Sequence, residues 1–134
     1  MKSFTNIFKA LSDQTRLRIM RLLQQAGTAL CVCEIMDSLS ENQYNISRHL
    51  KVLQHADLIE ENKEGRWIFY RLTVHTERFH ELLLQALAAI PEALFERDDK
   101  RLRKRVSFRV GGKCVIGMNS DDWHKVLTQL DQEN

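Results

Sequence analysis

Between Cys31 and Leu53 the chain reads CVCEIMDSLSENQYNISRHLKVL, and this stretch restricts the fold more than any other. Ile35 and Leu39 stand four apart, and Ile46, Leu50 and Leu53 follow at spacings of four and three, the pattern of two amphipathic helices. Ser40, Glu41 and Asn42 between them suit a short polar turn. The spacing predicts one helix over residues 31–39 and a second running to about Ala56. The second buries Ile46, Leu50 and Leu53 and turns Gln43, Asn45, Arg48, His49 and Lys51 to its other face. Two short helices joined in this way form a helix-turn-helix.

The flanking segments build around that unit. Residues 3–10 read as a short helix in which Phe4, Ile7, Phe8 and Leu11 recur at three and four; its phenylalanines need the chain's own core or a second copy as partner. Ser12 is placed to cap a helix over residues 13–25 that turns Leu17, Met20, Leu22 and Leu23 inward and Arg16, Arg18 and Arg21 largely outward. Gly27 ends it. Residues 58–62 and 66–72 are β-prone and joined by Lys63-Glu64-Gly65, a hairpin wing directly after the second helix of the pair. A helix over 75–90 carries Phe79, Leu82, Leu83, Ala86, Leu87 and Ile90, and Pro91 closes it. Beyond it, 97–105 is a charge run, 106–110 and 114–116 read as short strands around Gly111-Gly112, and 121–130 as a helix after Ser120. The expected fold is mainly α with a small β-hairpin, a winged helix-turn-helix domain over residues 1–90 followed by a C-terminal extension over 91–134.

A length of 134 residues suits one domain. The net charge of +2 does not announce nucleic acid, but Arg16, Arg18, Arg21, Arg48, Lys51, Lys63, Arg66 and Arg71 gather around the central stretch. No apolar run approaches the ~20 residues of a membrane span, and the N-terminus lacks the apolar block of a signal peptide. A cytoplasmic protein with no membrane partner is expected. Three cysteines, an odd number, fit metal or redox chemistry better than a disulfide framework. There is no P-loop, dinucleotide glycine pattern or nucleophile elbow, and Leu84 stands where His80-Glu81 would need a second histidine for a metalloprotease. No enzyme is expected.

Asn and Gln bond adenine bidentately and Arg bonds guanine, so Gln43, Asn45, Arg48 and His49 suit a helix lying in the major groove. Ser47 and Lys51 suit phosphates, and Lys63 and Arg66 at the hairpin tip suit the flanking backbone or minor groove. Over residues 4–90, FKALSDQTRLRIMRLL, ALCVCEI, NISRHLKVLQHADLI and EGRWIFYRL occur in an order and spacing that resembles the ArsR/SmtB family of bacterial winged-helix repressors. The resemblance implies a homodimer whose first and last core helices form the interface, drawing in Phe4, Phe8 and the 79–90 stripe. It also implies a repressor released from double-stranded operator DNA by a ligand.

Cys31 and Cys33 offer soft thiolates suited to As(III), Sb(III), Cd(II), Pb(II) or Zn(II), and a helix N-terminus lowers a thiol's pKa. The same thiols also suit plain burial as small hydrophobes. Residues i and i+2 lie ~200° apart around an α-helix, so both could hold one ion only by unwinding the helix start, the kind of differential a switch requires. The resemblance matches ALCVCEI to the thiol motif of the family's arsenic-type and cadmium/lead-type sensors, with As(III) or Sb(III) as the implied inducer. Where the arsenic-type motif commonly has a further cysteine, this chain has Met36. The remaining thiol, Cys114 in VGGKCVIG, could fold onto the pair through the flexible double glycine, within its own subunit or the other. Response to Cd(II), Pb(II), Zn(II) or oxidation stays open, as does recruitment of a partner by residues 100–105. The Asp/His pairs of the family's zinc sensors are replaced here by Val74 and Thr76, so His75 and His80 read as solvated.

Overall fold

A computed structural model describes residues 1–118 and 120–132. Its first helix, α1 (Lys2–Leu11), is closed by Ser12, whose hydroxyl donates to the Lys9 carbonyl at 2.8 Å. Asp13, rather than the expected Ser12, caps α2 (Gln14–Ala26): its carboxylate accepts the Arg16 backbone N–H at 3.1 Å. Gly27, at φ +64°, ends α2 in the left-handed region. A two-residue strand that periodicity could not reveal, β1 (Leu30–Cys31), leads straight into α3 (Val32–Leu39). Ser40 and Glu41 turn the chain, and the Asn42 side chain caps α4 (Gln43–His55) by accepting the Asn45 N–H at 2.8 Å.

The wing is β2 (Ile59–Glu64) and β3 (Trp67–Leu72), antiparallel from Ile59↔Leu72 to Glu64↔Trp67. Lys63 and Glu64 belong to the strand, not to the loop expected from sequence. The turn is Gly65-Arg66, with positive φ at Gly65 alone, as in a type II′ hairpin. β1 pairs on the other edge of β3, Leu30↔Tyr70 and Cys31↔Phe69, giving the order β1-β3-β2. Beneath the sheet and helices lies one apolar core that includes Ile19, Leu22, Ile35, Leu39, Ile46, Leu50, Leu53 and Ile59.

The last core helix, α5 (Arg78–Ala88), is followed by a 3-10 turn at Glu92–Phe95, by α6 (Glu96–Val106) and by α7 (Asp121–Gln132). The expected strands at 106–110 and 114–116 do not form: Val106 ends α6, and Val110 and Lys113 make one isolated bridge around the two glycines. The charge run is α6 itself, which buries Leu102 together with Asp98, Arg101 and Arg105 against α2 and α3. A polar helix can be buried because its charges are paired. Arg18 grips the Asp98 carboxylate with two bonds of 2.9 and 2.8 Å and also donates to the Leu39 carbonyl. Arg105 Nε donates to Asp37 at 2.8 Å, both side chains being buried. The outward-facing arginines expected on α2 are therefore largely structural. Arg21 is buried too, its guanidinium 5.4 Å from the Phe95 ring centre.

Phe79 of α5 receives the edges of Phe4 and Phe8 from α1, at 4.9 and 5.9 Å between ring centres. Even so, Phe4, Phe8 and Leu82 remain 42%, 58% and 45% exposed. No helix among the described residues is long and apolar enough to cross a membrane.

Candidate thiol site and nucleic-acid interface

Cys31 closes β1 and is the N-cap of α3, with extended backbone (φ −75°, ψ 159°), whereas Cys33 lies in the first turn of the helix. The expected 200° opposition of the two sulfurs is thus absent, because only one of the residues is helical. No unwinding is needed to bring them together. Cys114, delivered by the left-handed Gly111-Gly112 turn, places its sulfur 3.0 Å from that of Cys31, and all three cysteines are buried in one cluster beside Val32, Trp67, Phe69 and Met118.

Glu34 organises the floor of this cluster. Its carboxylate accepts the Cys31 backbone N–H at 3.0 Å, the side-chain half of a capping box. Arg109 holds both of its oxygens, at 2.5 and 2.6 Å, and also donates to the Ala29 carbonyl at 2.9 Å. This fully buried carboxylate is thus held by three hydrogen bonds, two on Oε1 and one on Oε2. The hydrogen bond between Cys31 and Cys33 raises the Cys31 pKa, as burial also does, and lowers that of Cys33 against the effect of burial. Burial, with the contact to Cys31, pushes Cys114 up to about 12. Cys31, Cys114 and the Glu34 carboxylate offer donor atoms within 4.8 Å of one another, and Cys33 is buried in the same cluster; the soft thiols fit a thiophilic ion.

On α4, Gln43, Arg48 and Lys51 are exposed, Asn45 and Ser47 half-buried, and Gln43, Tyr44, Ser47, Arg48 and Lys51 line one shallow groove. At the wing tip Lys63 and Arg66 are exposed, and Arg66 stacks over the Trp67 ring at 4.7 Å.

Residues 13–61 match the family model described as bacterial regulatory protein, arsR family. The chain is 45% identical over 69 residues to the arsenical resistance operon repressor of Escherichia coli, spanning 52% of this chain and 58% of that protein. It is 40% identical over 85 residues to the arsenic resistance transcriptional regulator ArsR2 of Pseudomonas putida, spanning 63% and 73% respectively. The chain belongs to the arsR family. Members of this family are transcriptional regulators rather than enzymes. A solved homodimeric winged helix-turn-helix DNA-binding domain from Mycobacterium bovis superimposes with a TM-score of 0.56 at 27% identity, covering 71% of this chain and 84% of that one.

Two residues of this arsR-family chain depart from the expected reading face. Tyr44 was not singled out by periodicity, yet it is 76% exposed on the groove; its aromatic ring beside Gln43 was the available signal. His49 was expected to face DNA and is buried instead. Arg16 donates to its Nδ1 at 3.0 Å, and the Asp13 carboxylate lies 3.8 Å away. Its role is to fasten α4 to the start of α2. Burial holds the His49 pKa below its ordinary 6.5. The unfolded chain therefore takes up a proton that the folded one resists. The stabilising contribution is complete above about 6.5 and is lost as pH falls through the lower folded value. A His49→Gln variant is expected to flatten the fall in melting temperature between neutral pH and about 5, measured side by side with the parent.

Proposed function

We propose that this regulator is a repressor that binds operator DNA as a homodimer through α4 and the wing, and that it is released when As(III) or Sb(III) is held by Cys31, Cys33 and Cys114. The burial of all three thiols in one cluster at the start of α3, with Cys31 and Cys114 in contact, carries the reading. The similarity to named arsenical-resistance regulators supports the class of ion. The ion supplies a single centre that binds sulfur strongly; the chain does the rest. Cys31 belongs to the β1 register against Phe69 of the wing and also heads α3, which packs on α4. A displacement of Cys31 therefore acts on both DNA-reading elements at once. A coupling of about 1–3 kcal/mol is enough for such a switch.

The test is an operator-binding titration of the full chain against arsenite, antimonite, Cd(II), Pb(II) and Zn(II). Release by the first two at lower concentration than by the others supports the reading; preferential release by the divalent ions moves it to a cadmium-, lead- or zinc-responsive repressor. The Cys31–Cys114 separation of 3.0 Å also favours a second reading, oxidation of that pair to a disulfide by a peroxide. Release under peroxide, with none under arsenite, would establish that one instead.

The exposed apolar face of α1 and α5 supports the homodimer, since Phe4, Phe8 and Leu82 gain from being covered. A Phe8→Asp variant is expected to shift the chain toward monomer in sedimentation and to weaken operator binding at least about tenfold, as a charge is buried unpaired in the interface.

A further inference from the structure

At the opposite end of α5 from Pro91, a second cluster of ligating groups has no part in the thiol site. His75, Glu77 and His80 offer donors that all lie within 4.8 Å of one another. The two histidines are not solvated, as expected from sequence, but half-buried, with rings stacked at 3.7 Å and 18° apart. His75 Nδ1 is 3.7 Å and His80 Nδ1 3.6 Å from the same oxygen, Oε2 of Glu77. His75 Nε2 donates to the Asp57 carbonyl at 2.7 Å, because a carbonyl can only accept. That bond fixes the ring and leaves the Nδ1 lone pair directed at Glu77, the second-shell arrangement that orients metal-bound imidazoles. His80 Nδ1 is buried and has no hydrogen-bond partner among the described residues. The Phe79 ring stands edge-on to His80 at 5.4 Å and walls that side. Glu77 sits at the N-cap of α5 without its side chain capping the helix, so its carboxylate remains available.

We propose that His75, Glu77 and His80 form a divalent-metal site of the zinc class, one per protomer, built from two imidazole nitrogens and one carboxylate. An ion ~2.1 Å from each donor holds tetrahedral ligands roughly 3.4 Å apart, close to the 3.7 and 3.6 Å between each histidine and Glu77, and a small approach of donors all within 4.8 Å of one another closes the site. Nitrogen and oxygen donors select Zn(II), Co(II) or Ni(II) rather than the thiophilic metalloids of the cysteine cluster. The location of the site gives it a lever. Asp57, held by His75, is the left-handed residue (φ +59°) that follows α4, while His80 belongs to α5, beside the α1–α5 aromatic contact. Metal held there fastens the end of the reading helix to the proposed dimer helix.

Titrating the full chain with Co(II) tests this. Visible d–d absorption saturating at one ion per protomer, without a thiolate charge-transfer band, is expected. Glu77→Gln, at an exposed position that the fold tolerates, should weaken it about tenfold or more, as should His80→Asn, while Cys33→Ser leaves it unchanged. A spectrum dominated by thiolate charge transfer and lost in Cys33→Ser, or Co(II) affinity indifferent to both the Glu77 and His80 substitutions, would overturn the proposal.

Discussion

Replacing Cys114 with serine is expected to leave operator binding by the ligand-free chain within about twofold of the parent, because the change is nearly isosteric. The ligand-induced loss of operator affinity, on the order of 5- to 150-fold, should vanish with it. The serine hydroxyl can still donate to the Ile116 carbonyl, the contact that the Cys114 thiol makes at 3.4 Å, so the loop keeps its anchor. What disappears is the third sulfur. Two thiols cannot complete a three-sulfur site, and Glu34, gripped by Arg109 and the Cys31 N–H, offers only a hard oxygen donor in place of the lost sulfur. Fluorescence anisotropy of labelled operator, with and without arsenite, measures both halves. An arsenite response equal to that of the parent would remove Cys114 from the site.

The largest loss of stability should come from Asp37→Ala or Arg105→Ala. Each removes one member of a fully buried ion pair, and such truncations cost about 3–5 kcal/mol. Arg105 also donates to the carbonyls of Ile116 and Gly117, at 3.1 and 3.3 Å, so its loss frees the segment that carries Cys114. The two variants should therefore differ in kind. Asp37→Ala lowers the urea midpoint while the arginine can keep its carbonyl contacts. Arg105→Ala lowers it comparably and in addition blunts the arsenite response. Urea unfolding at one fixed protein concentration, paired with the operator assay, separates them. Midpoints unchanged by more than the equivalent of about 1 kcal/mol would show that the pair adds little.

The helix-turn-helix was legible because apolar spacing reports helices that bury one face, and Ile46, Leu50 and Leu53 are buried as that spacing demands. The wing was legible from its aromatic and β-branched run. The same logic failed on α6, whose inward face is largely arginine and aspartate. Counting apolar residues cannot see Arg18–Asp98 or Arg105–Asp37, partners 80 and 68 positions apart. Valines near Gly111 suggested strands, but Val106 ends a helix and the glycines form a turn. At the candidate site, the thiols stood out by type. The extended backbone of Cys31 was hidden, since it depends on pairing with Phe69, 38 positions further on (69 − 31). His49 and the His75–His80 stack were misread as surface for a related reason: Arg16 and Asp57, the partners that hold His49 and His75, lie 33 and 18 positions away.

The 83 positions between Cys31 and Cys114 also impose an order of manufacture. On the proposed function, the residues that read the operator have all been synthesised once Arg66 is made, while Cys114 follows only after the chain has laid down α5 and α6. At typical synthesis rates that interval is on the order of several seconds. If the proposed function holds, a nascent chain has its reading surface before it has its thiol cluster, and only a chain extended past Cys114, with that segment docked, can answer the metalloid.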